Sequence, residues 1–328
     1  MKFKIDGFVL AILATVFIAY FFPFMGSENS PVDLNTVSTI GISIIFLFYG
    51  IKLNKEKLKT GLLNWKLHIV IQTATFLLFP LLVLLFKPLL PATNINQTLW
   101  LAFFFLASLP STVSSSVVMV SLAKGNVPAA IFNASISGII GILLTPLWMG
   151  IFLKDNTVGF DFTQTYIDLL IQIVLPVAVG FYLQKYLSQF ATKYAGALAK
   201  FDKAIILLII YKSFAHAFEI NLFKEVSVSI LVLITIGVLL LFVLLYAILL
   251  FITKKLNFSE EDKITTLFCG SKKSLVHGTV FSNVMFKGSS SLGIILLPIM
   301  IYHALQIVII SFIAQKYGSR NTDDFKKP

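Results

Sequence analysis

GSKKSLVHG, residues 270–278, places two adjacent lysines and a histidine between apolar stretches of the chain. The apolar segment around them begins near Asp262, so Lys272 follows roughly nine residues, or about 14 Å, of helix. That length is about half the thickness of a bilayer's hydrocarbon core. A cation at this depth costs about 2.5 to 3.5 kcal/mol on insertion scales, so Lys272 and Lys273 are functional candidates. If the span begins later, both lysines are interfacial and their side chains snorkel to the membrane surface.

The composition indicates an integral membrane protein. Of the 328 residues, 57% are hydrophobic and 12% are charged, against about 25% charged residues in an ordinary soluble domain. The net charge of +11 does not indicate a nucleic-acid partner, because the basic residues collect in the short loops between apolar spans. Cys269 is the only cysteine, which excludes an intramolecular disulfide and a cysteine-based metal cluster.

Ten apolar segments are long enough to cross a bilayer. Two of them are interrupted: 98–123 by LPSTVSSS (109–116), and 262–286 by GSKKS (270–274). The other eight are continuous and lie near 7–24, 36–51, 67–86, 127–153, 164–186, 203–219, 226–252 and 290–315. We interpret the first as a span and not as a signal peptide, because no small-x-small cleavage site follows it.

The lysines and arginines predict the orientation. With ten spans, nineteen of the 26 fall on one side, four on the other and three at membrane depth. Since cytoplasmic loops retain lysine and arginine, both termini are predicted to be cytoplasmic, in a multi-pass protein of the cytoplasmic (plasma) membrane. The longest polar links, 52–66 and 187–202, are predicted to be connectors, and no soluble domain remains.

The interrupted spans are the fourth and the ninth, which are equivalent positions if the chain is two five-helix repeats, 1–160 and 161–328. Because five is odd, the repeats must be inverted. Residues 110–126 align with 273–289 at five identical positions of seventeen, including Lys124-Gly125 with Lys287-Gly288 on opposite sides. Paired interruptions in two halves indicate the binding site of a transporter. The predicted fold is all-α, with the broken fourth and ninth helices crossing in a core domain.

The residues at the two breaks are the candidate binding residues. A helix can break at membrane depth only where protein or a water-filled cavity receives the freed backbone groups. Hydroxyl side chains can satisfy those groups or coordinate an ion or a substrate; the alternative is that they assist helix packing. At the first break these are Ser111, Thr112, Ser114, Ser115 and Ser116. At the second, Ser274 joins Lys272 and Lys273, and His277 is a proton-linked partner or a packing residue.

The charges at the breaks favour an anion as the substrate. None of the fifteen acidic residues lies inside either interrupted segment proper, since Glu260, Glu261 and Asp262 precede the ninth span. Asp168 is the one acid more than a few residues inside a span. Without a carboxylate, the place where the two broken helices cross is poorly suited to holding two sodium ions. Its lysines and the positive N-terminal ends of the half-helices suit an anion.

Other polar residues within the spans admit two interpretations each. Lys212 and His216 lie four apart on one face of the seventh span, where they line the same cavity or lie near the outer boundary. In the fifth span, polar side chains face the first break or mediate packing: Asn133, Ser135 and Ser137. His68 and His303 are interpreted as packing or interfacial residues.

LPSTVSSSVVMVSLAKGNVPAAIFNASISG (109–138), TP (145–146) and FCGSKKSLVHG (268–278) resemble the bile acid:sodium symporter superfamily, in particular its SBF-like branch. The resemblance covers essentially the whole chain. It implies ten helices in two inverted repeats, a panel and a core domain, and alternating access by movement of one domain against the other.

The chain departs from this family where sodium would bind. Members that use sodium have a glutamate and a Gln-Asn pair at the second break, where this chain has Ser271 to Ser274. Ser116 matches a family sodium-site serine, but Val117 replaces the asparagine that follows it. We hypothesise that a lysine ammonium occupies the space of a sodium ion, where it neutralises an anionic substrate or carries a coupled proton. If sodium does bind, its predicted ligands are Ser114, Ser115 and Ser116 with backbone carbonyls.

The sequence therefore predicts a secondary transporter of a small organic anion, not an enzyme, with no cofactor and with sodium or a proton as the possible coupling ion. An intramembrane hydrolase using Ser271 or Ser274 beside a lysine is one alternative. It lacks a separate oxyanion-hole motif and would leave the paired breaks unexplained. A channel or a sensor that keeps the transporter fold is another. The sequence does not predict the substrate or the oligomeric state.

Overall fold

The structure, a computed structural model, describes the backbone of residues 7–26, 33–53, 64–89, 93–112, 114–153, 162–219, 221, 227–287, 289 and 291–319. All regular secondary structure in these ranges is helical. The helices are α1 (Gly7–Phe21), α2 (Leu34–Lys52), α3 (Trp65–Phe86), α4 (Asn94–Ser108), α5 (Ser114–Leu122), α6 (Val127–Leu153), α7 (Phe162–Leu169 continuing through Leu175–Lys193), α8 (Ala195–Glu219), α9 (Val228–Lys255), α10 (Glu260–Gly270), α11 (Leu275–Met285) and α12 (Leu292–Gly318).

Six of these helices are long and apolar enough to cross a membrane: α2, α3, α6, α7, α9 and α12. The apolar part of α1, Leu10–Phe21, is shorter. Large apolar side chains are exposed on the outside of the bundle, for example Leu143, Leu147 and Ile151, which recur every four residues along α6. Such a stripe is what a lipid-facing helix surface requires. The described part of the chain is therefore all-helical, with helices typical of a membrane protein.

The helical path is interrupted at both stretches that the sequence marks. The α4 helix ends at Ser108 and α5 begins at Ser114, while α10 ends at Gly270 and α11 begins at Leu275. Ser259 caps α10 by accepting a hydrogen bond from the N–H of Asp262, and three acidic residues occupy its first turn. Acidic side chains there complement the positive end of the helix dipole.

The polar link predicted over 187–202 is helical in the structure. The α7 helix continues to Lys193, and α8 begins at Ala195 after a turn at Tyr194. Hydropathy marks only the part of a helix that lies in lipid, whereas alanine, lysine and glutamine have high helix propensity in water as well. Both helices consequently extend beyond their apolar segments.

A π-helical turn in α3, Ala74–Leu78, frees a main-chain carbonyl inside the bundle. In this turn the N–H of Phe79 donates to the carbonyl of Ala74, five residues back. The next residue, Pro80, has no N–H to donate to the carbonyl of Thr75. Thr75 is fully buried, so its carbonyl needs a partner from another part of the chain.

The helices pack in two groups. The first consists of α1, α2, α7 and α8, with α2 against α7 and α1 against α8 as its main contacts. The second contains α3 to α6 and α9 to α12, in which α12 packs against α4, α5, α9 and α11. The α8 helix joins the groups through α11 and α12. Both breaks lie in the second group.

Glycines allow the closest helix contact in the first group. A Cβ built on Gly50 of α2 would collide with the carbonyl of Val177, and one on Gly180 of α7 with the carbonyl of Leu47. Small residues commonly permit such close approach in membranes. Because the obstacle on each side is backbone, no rotamer change can relieve it.

Gly180→Leu is therefore expected to separate α2 from α7 and to destabilise the protein by roughly 1–3 kcal/mol, the usual cost of overpacking. The measurement is thermal unfolding in detergent. Gly196→Leu on α8 is the matched control, because a Cβ at Gly196 has open space around it. Equal melting temperatures for the two variants would contradict this account of the α2–α7 contact.

Candidate functional site

Lys273 places its amino group among main-chain carbonyls at the first break. Nζ lies 2.8 Å from the carbonyl oxygen of Thr75, 2.6 Å from that of Ala107 and 2.7 Å from that of Leu109. Three carbonyl acceptors match the three N–H donors of an ammonium group, whereas a neutral amine has two. Nζ also lies 4.3 Å from the ring centroid of Phe79, a cation–π contact. The side chain is fully buried.

Lys272 points towards a different element. Its Nζ donates to the carbonyl of Ser115 at 3.0 Å and lies 3.4 Å from the Ser115 hydroxyl, in the first turn of α5. Lys272 is also fully buried. One short hydrogen bond leaves donor capacity on this ammonium that Lys273 does not have.

The backbone of the second break is satisfied by α12. The carbonyl of Ser271 accepts a hydrogen bond from the Tyr302 hydroxyl at 2.6 Å. The Gln306 amide accepts from the N–H of Lys273 at 2.9 Å and donates to the carbonyl of Lys273 at 2.8 Å. Gln306 thus supplies the N–H and the carbonyl of Lys273 with the hydrogen bonds that a continuous helix would provide.

The two breaks are hydrogen-bonded to each other. The N–H of Ser274 donates to the carbonyl of Pro110 at 2.9 Å, and the Ser111 hydroxyl donates to the carbonyl of Cys269 at 2.6 Å. Ser137 of α6 completes the junction, because its hydroxyl accepts from the N–H of Ser111 at 3.0 Å. We call this junction the crossover.

The other hydroxyls of the first break form a cluster beside Lys272. The Thr112 hydroxyl lies 2.9 Å from that of Ser115 and 2.8 Å from that of Ser116. Ser114 begins α5, and its side chain lies outside the described residues. The described hydroxyls therefore lie at the N-terminal end of α5, where the helix dipole favours negative charge.

His277 connects the crossover to the first helix group. Its Nδ1 lies 2.9 Å from the Ser274 hydroxyl, while Nε2 is buried without a hydrogen-bond partner among the described atoms. The ring stands edge-on to Phe46 and Tyr49 of α2, at centroid distances of 5.8 and 6.0 Å. The Tyr49 hydroxyl donates to the carbonyl of Ser135 on α6 at 2.6 Å. These contacts hold α2 over the crossover.

Two groups of candidate residues form separate contacts. Asn133 lies 2.8 Å from Nδ1 of His68 and accepts from Gln72 at 3.1 Å, so its amide bonds to α3 and not to either break. Lys212 and His216 line an open cleft with residues of α2, α7 and α11.

Two residues that the sequence did not single out, Tyr302 and Gln306, satisfy backbone groups at the second break. Thr145, from the TP motif, does so at the first break, because its hydroxyl donates to the carbonyl of Ser108 at 2.8 Å. Thr75, also not singled out, contributes the carbonyl that accepts from Lys273. Gln306 is a polar residue within an apolar span, and this signal could have drawn attention to it. A threonine that bonds to the preceding turn is common in membrane helices and carries no such signal.

A model of the SBF-like CPA transporter family matches residues 6–319, nearly the whole chain. The chain belongs to this family. Relatives similar to this chain come from bacteria and vertebrates. An uncharacterized protein of Pseudomonas aeruginosa is 34% identical over 322 residues, 98% of this chain and 96% of the relative. YfeH of Escherichia coli, whose name classes it with symporters, is 32% identical over 322 residues, 98% of this chain and 95% of the relative.

Sodium/bile acid cotransporter 7 of Danio rerio is 30% identical over 310 residues, which is 93% of this chain and 91% of the relative. The matched family and these relatives identify the chain as a multi-pass membrane transporter similar to sodium/bile acid symporters. Since the relatives that carry functional names are named as transporters, they favour transport over hydrolysis by a serine–lysine pair.

Proposed function

We propose that this SBF-like protein is a secondary active transporter of a small organic anion. In this proposal the four unbroken helices of the first group are the panel domain and the second group is the core domain. Counting each broken helix as one span gives ten spans in two inverted repeats, 1–160 and 161–328. Both termini then lie on the cytoplasmic side of the plasma membrane, in accordance with the lysine distribution.

The observation that carries the mechanism is the position of the Lys273 ammonium. It donates to three main-chain carbonyls, including those of Ala107 and Leu109 at the first break. Carbonyls of unwound helices are the groups that coordinate sodium in transporters with broken helices. A fixed ammonium in such a cage holds the positive charge of a coupling ion permanently. Lys273 therefore takes the place of a sodium ion at the crossover.

Lys272 takes a different role in this proposal. Its ammonium has one short hydrogen bond and adjoins the hydroxyl cluster at the N-terminal end of α5. Charged donors and a helix N-terminus together favour a carboxylate or sulfonate. Lys272 therefore contacts the anionic substrate or carries a coupled proton. The proposed binding residues are those at the breaks, with Asn133 retained as a more distant member: Ser111, Thr112, Ser114, Ser115, Ser116, Asn133, Ser137, Lys272, Lys273, Ser274 and His277.

Alternating access requires the two helix groups to move against each other. Such a movement must break contacts between the groups, including the Tyr49–Ser135 hydrogen bond and the packing of His277 against Phe46. Tyr49 and Phe46 cover the crossover from one direction, whereas the cleft at Lys212 is open. In this proposal, an anion enters from the side of the cleft.

One observation favours sodium coupling as a second candidate. Sodium/bile acid cotransporter 7 of Danio rerio carries sodium in its name, and the Thr112 hydroxyl lies within 3 Å of the hydroxyls of Ser115 and Ser116. Hydroxyl and carbonyl oxygens are suitable ligands for a hard cation. In this alternative, sodium binds beside Lys272 at the N-terminal end of α5.

Uptake by purified protein in liposomes distinguishes the two candidates. We expect radiolabelled taurocholate or benzoate to enter at the same rate under inward sodium and inward potassium gradients at equal membrane potential. Protein-free liposomes measure passive entry. A strict requirement for sodium would support the second candidate, sodium-coupled transport. Absence of protein-dependent entry for both probes, together with no stabilisation by a panel of carboxylates and sulfonates, would contradict anion transport.

A further inference from the structure

An open cleft between the two helix groups contains several hydrogen-bond donors. It encloses about 770 Å³, its mouth included. We call it the outer cleft. Its polar lining comes from α2, α7 and α8 on one side and from the region around the end of α11 on the other: Asn35, Thr39, Gln172, Lys212, His216 and Asn283, with Lys287 and Ser289.

Lys212 is the central cation of the outer cleft. Its Nζ donates to the amide oxygen of Asn35 on α2 at 2.9 Å and to that of Asn283 on α11 at 2.7 Å. Both acceptors are neutral, and no ion pair is formed by Lys212 within the described part of the chain. One of its three N–H donors consequently has no described partner.

The hydrogen bond from Lys212 also fixes the orientation of the Asn283 side-chain amide. Since Asn283 uses its oxygen to accept from Lys212, its NH₂ group remains as a donor, and it makes no hydrogen bond to a described residue. Asn283 is almost fully buried, at 7% exposure. Its amide nitrogen retains contact with the open space of the cleft, so it can donate to a bound acceptor beside the partly buried ammonium of Lys212.

The nearby acidic residue is already engaged. Two charged groups act electrostatically on Lys212: Asp33, which attracts its charge, and Lys287, which repels it. The Asp33 carboxylate caps α2, accepting from the hydroxyl and N–H of Thr36 and from the N–H of Asn35. The hydrogen bonds from Thr36 lower the pKa of Asp33 from its usual 3.8, so the carboxylate stays ionised within its own helix cap. Among the residues that the structure describes, none that lines the outer cleft is acidic.

We propose that the outer cleft binds the carboxylate or sulfonate group of an organic anion, with Lys212 and the Asn283 amide as its donors. This inference rests on the proposed function in one respect, namely that the bound anion continues to the crossover. The binding site itself is separate. It is built by α2, α8 and α11, whereas Lys272 and Lys273 bond to α3, α4 and α5.

The position of Lys212 gives the site a second property. Asn35 belongs to the first helix group and Asn283 to the second, so the Lys212 ammonium bridges the groups across the cleft. An anion that accepts from Lys212 competes with the two amide oxygens for its donors. Occupation of the outer cleft therefore loosens the bridge between the groups that must move during transport.

The first test uses charged thiol reagents and needs no knowledge of the substrate. Cys269, the only cysteine of the chain, is fully buried, so Ser289→Cys introduces one reactive thiol into the cleft lining. We expect the ratio of modification rates, anionic over cationic methanethiosulfonate, to be higher at this thiol than at a small-molecule thiol in solution. Lys212→Gln should reduce this preference by roughly threefold to tenfold, as expected for loss of one unit charge from the lining of the same cleft in partly screened surroundings.

Competition by anions provides the second measurement. Benzoate should slow modification of Ser289→Cys, benzamide should not, and Lys212→Gln should abolish the protection by benzoate. Lys203→Gln is the matched control, because Lys203 lies on the same helix but is exposed and contacts Phe8 outside the cleft. The double variants that combine Ser289→Cys with Lys212→Gln or with Lys203→Gln must both retain the melting temperature of Ser289→Cys.

Two results would overturn the proposal: a reagent preference that does not change in Lys212→Gln, or equal effects of benzoate and benzamide. Failure of transport is separable from either result. If benzoate protects the thiol of Ser289→Cys as expected but liposomes containing the protein take up no anion, the binding site stands and the transport proposal fails. If uptake proceeds and Lys212→Gln leaves both protection and uptake unchanged, the cleft proposal alone fails.

Discussion

Lys273→Met is expected to lower the free energy of unfolding by at least about 3 kcal/mol, since each buried acceptor left without a partner costs about 1–3 kcal/mol. Methionine fills the space but donates no hydrogen bond to the carbonyls of Thr75, Ala107 and Leu109. These acceptors belong to a π-helical turn and a broken helix end, so the backbone cannot supply replacements. Removing a buried ammonium also removes its desolvation cost, which offsets part of the loss from the three carbonyls.

The measurement is unfolding of purified protein in detergent, by heat and by denaturant. Lys255→Met is the control, because Lys255 is exposed in the last turn of α9. The control should unfold with the wild type. If Lys273→Met unfolds with the wild type as well, the ammonium does not hold the first break together.

Lys272→Gln is expected to weaken anion binding by tenfold or more while changing stability much less than Lys273→Met. The reason is that Lys272 makes one short hydrogen bond, to the carbonyl of Ser115, so the fold depends on it less. A charge-assisted hydrogen bond contributes about 1.5–3 kcal/mol, and about 1.4 kcal/mol corresponds to tenfold in affinity. Glutamine keeps the polarity and much of the length of the side chain but removes the charge.

Thermal stabilisation by increasing benzoate or taurocholate measures this affinity, because a ligand that binds the folded state raises its melting temperature by mass action. Lys254→Gln, at an exposed position in the last turn of α9, is the matched control. An unchanged concentration dependence in Lys272→Gln would remove this residue from the binding site. It would also direct attention to the hydroxyls of Thr112 and Ser116.

The positions of the breaks could be predicted from the sequence because their chemistry is local. LPSTVSSS and GSKKS combine proline, glycine, hydroxyls and charge inside apolar segments, and a continuous lipid-exposed helix does not accommodate that combination. α4 and α10 end within one or two residues of these stretches. The mutual bonding of the breaks, through Ser111 and Ser274, also follows the expectation that two broken helices meet.

The directions of the two lysine side chains could not be predicted. They are adjacent in sequence, but Lys273 reaches α3 and α4 while Lys272 reaches α5. The direction of each depends on which helices surround the break and on which carbonyls those helices leave free. The π-helical turn that frees the Thr75 carbonyl arises from Pro80 in its tertiary context, and the hydropathy of α3 gives no sign of it.

The outer cleft was only partly predictable. The four-residue spacing of Lys212 and His216 places both on one face of α8. Their cavity is completed by Asn35 and Asn283, which lie 177 and 71 residues from Lys212 in sequence. Packing of three helices brings these amides together, and no periodicity in a single helix encodes that arrangement.

The most direct test of the lysine as a substitute for sodium is the sodium dependence of unfolding in Lys273→Ala. Alanine removes the ammonium and leaves a space lined by the carbonyls of Thr75, Ala107 and Leu109, oxygen ligands that a sodium ion can use. We expect sodium chloride, compared with choline chloride at equal ionic strength, to raise the melting temperature of Lys273→Ala and to leave that of the wild type unchanged. Stabilisation of the wild type by sodium, with no sodium effect specific to the variant, would contradict the account.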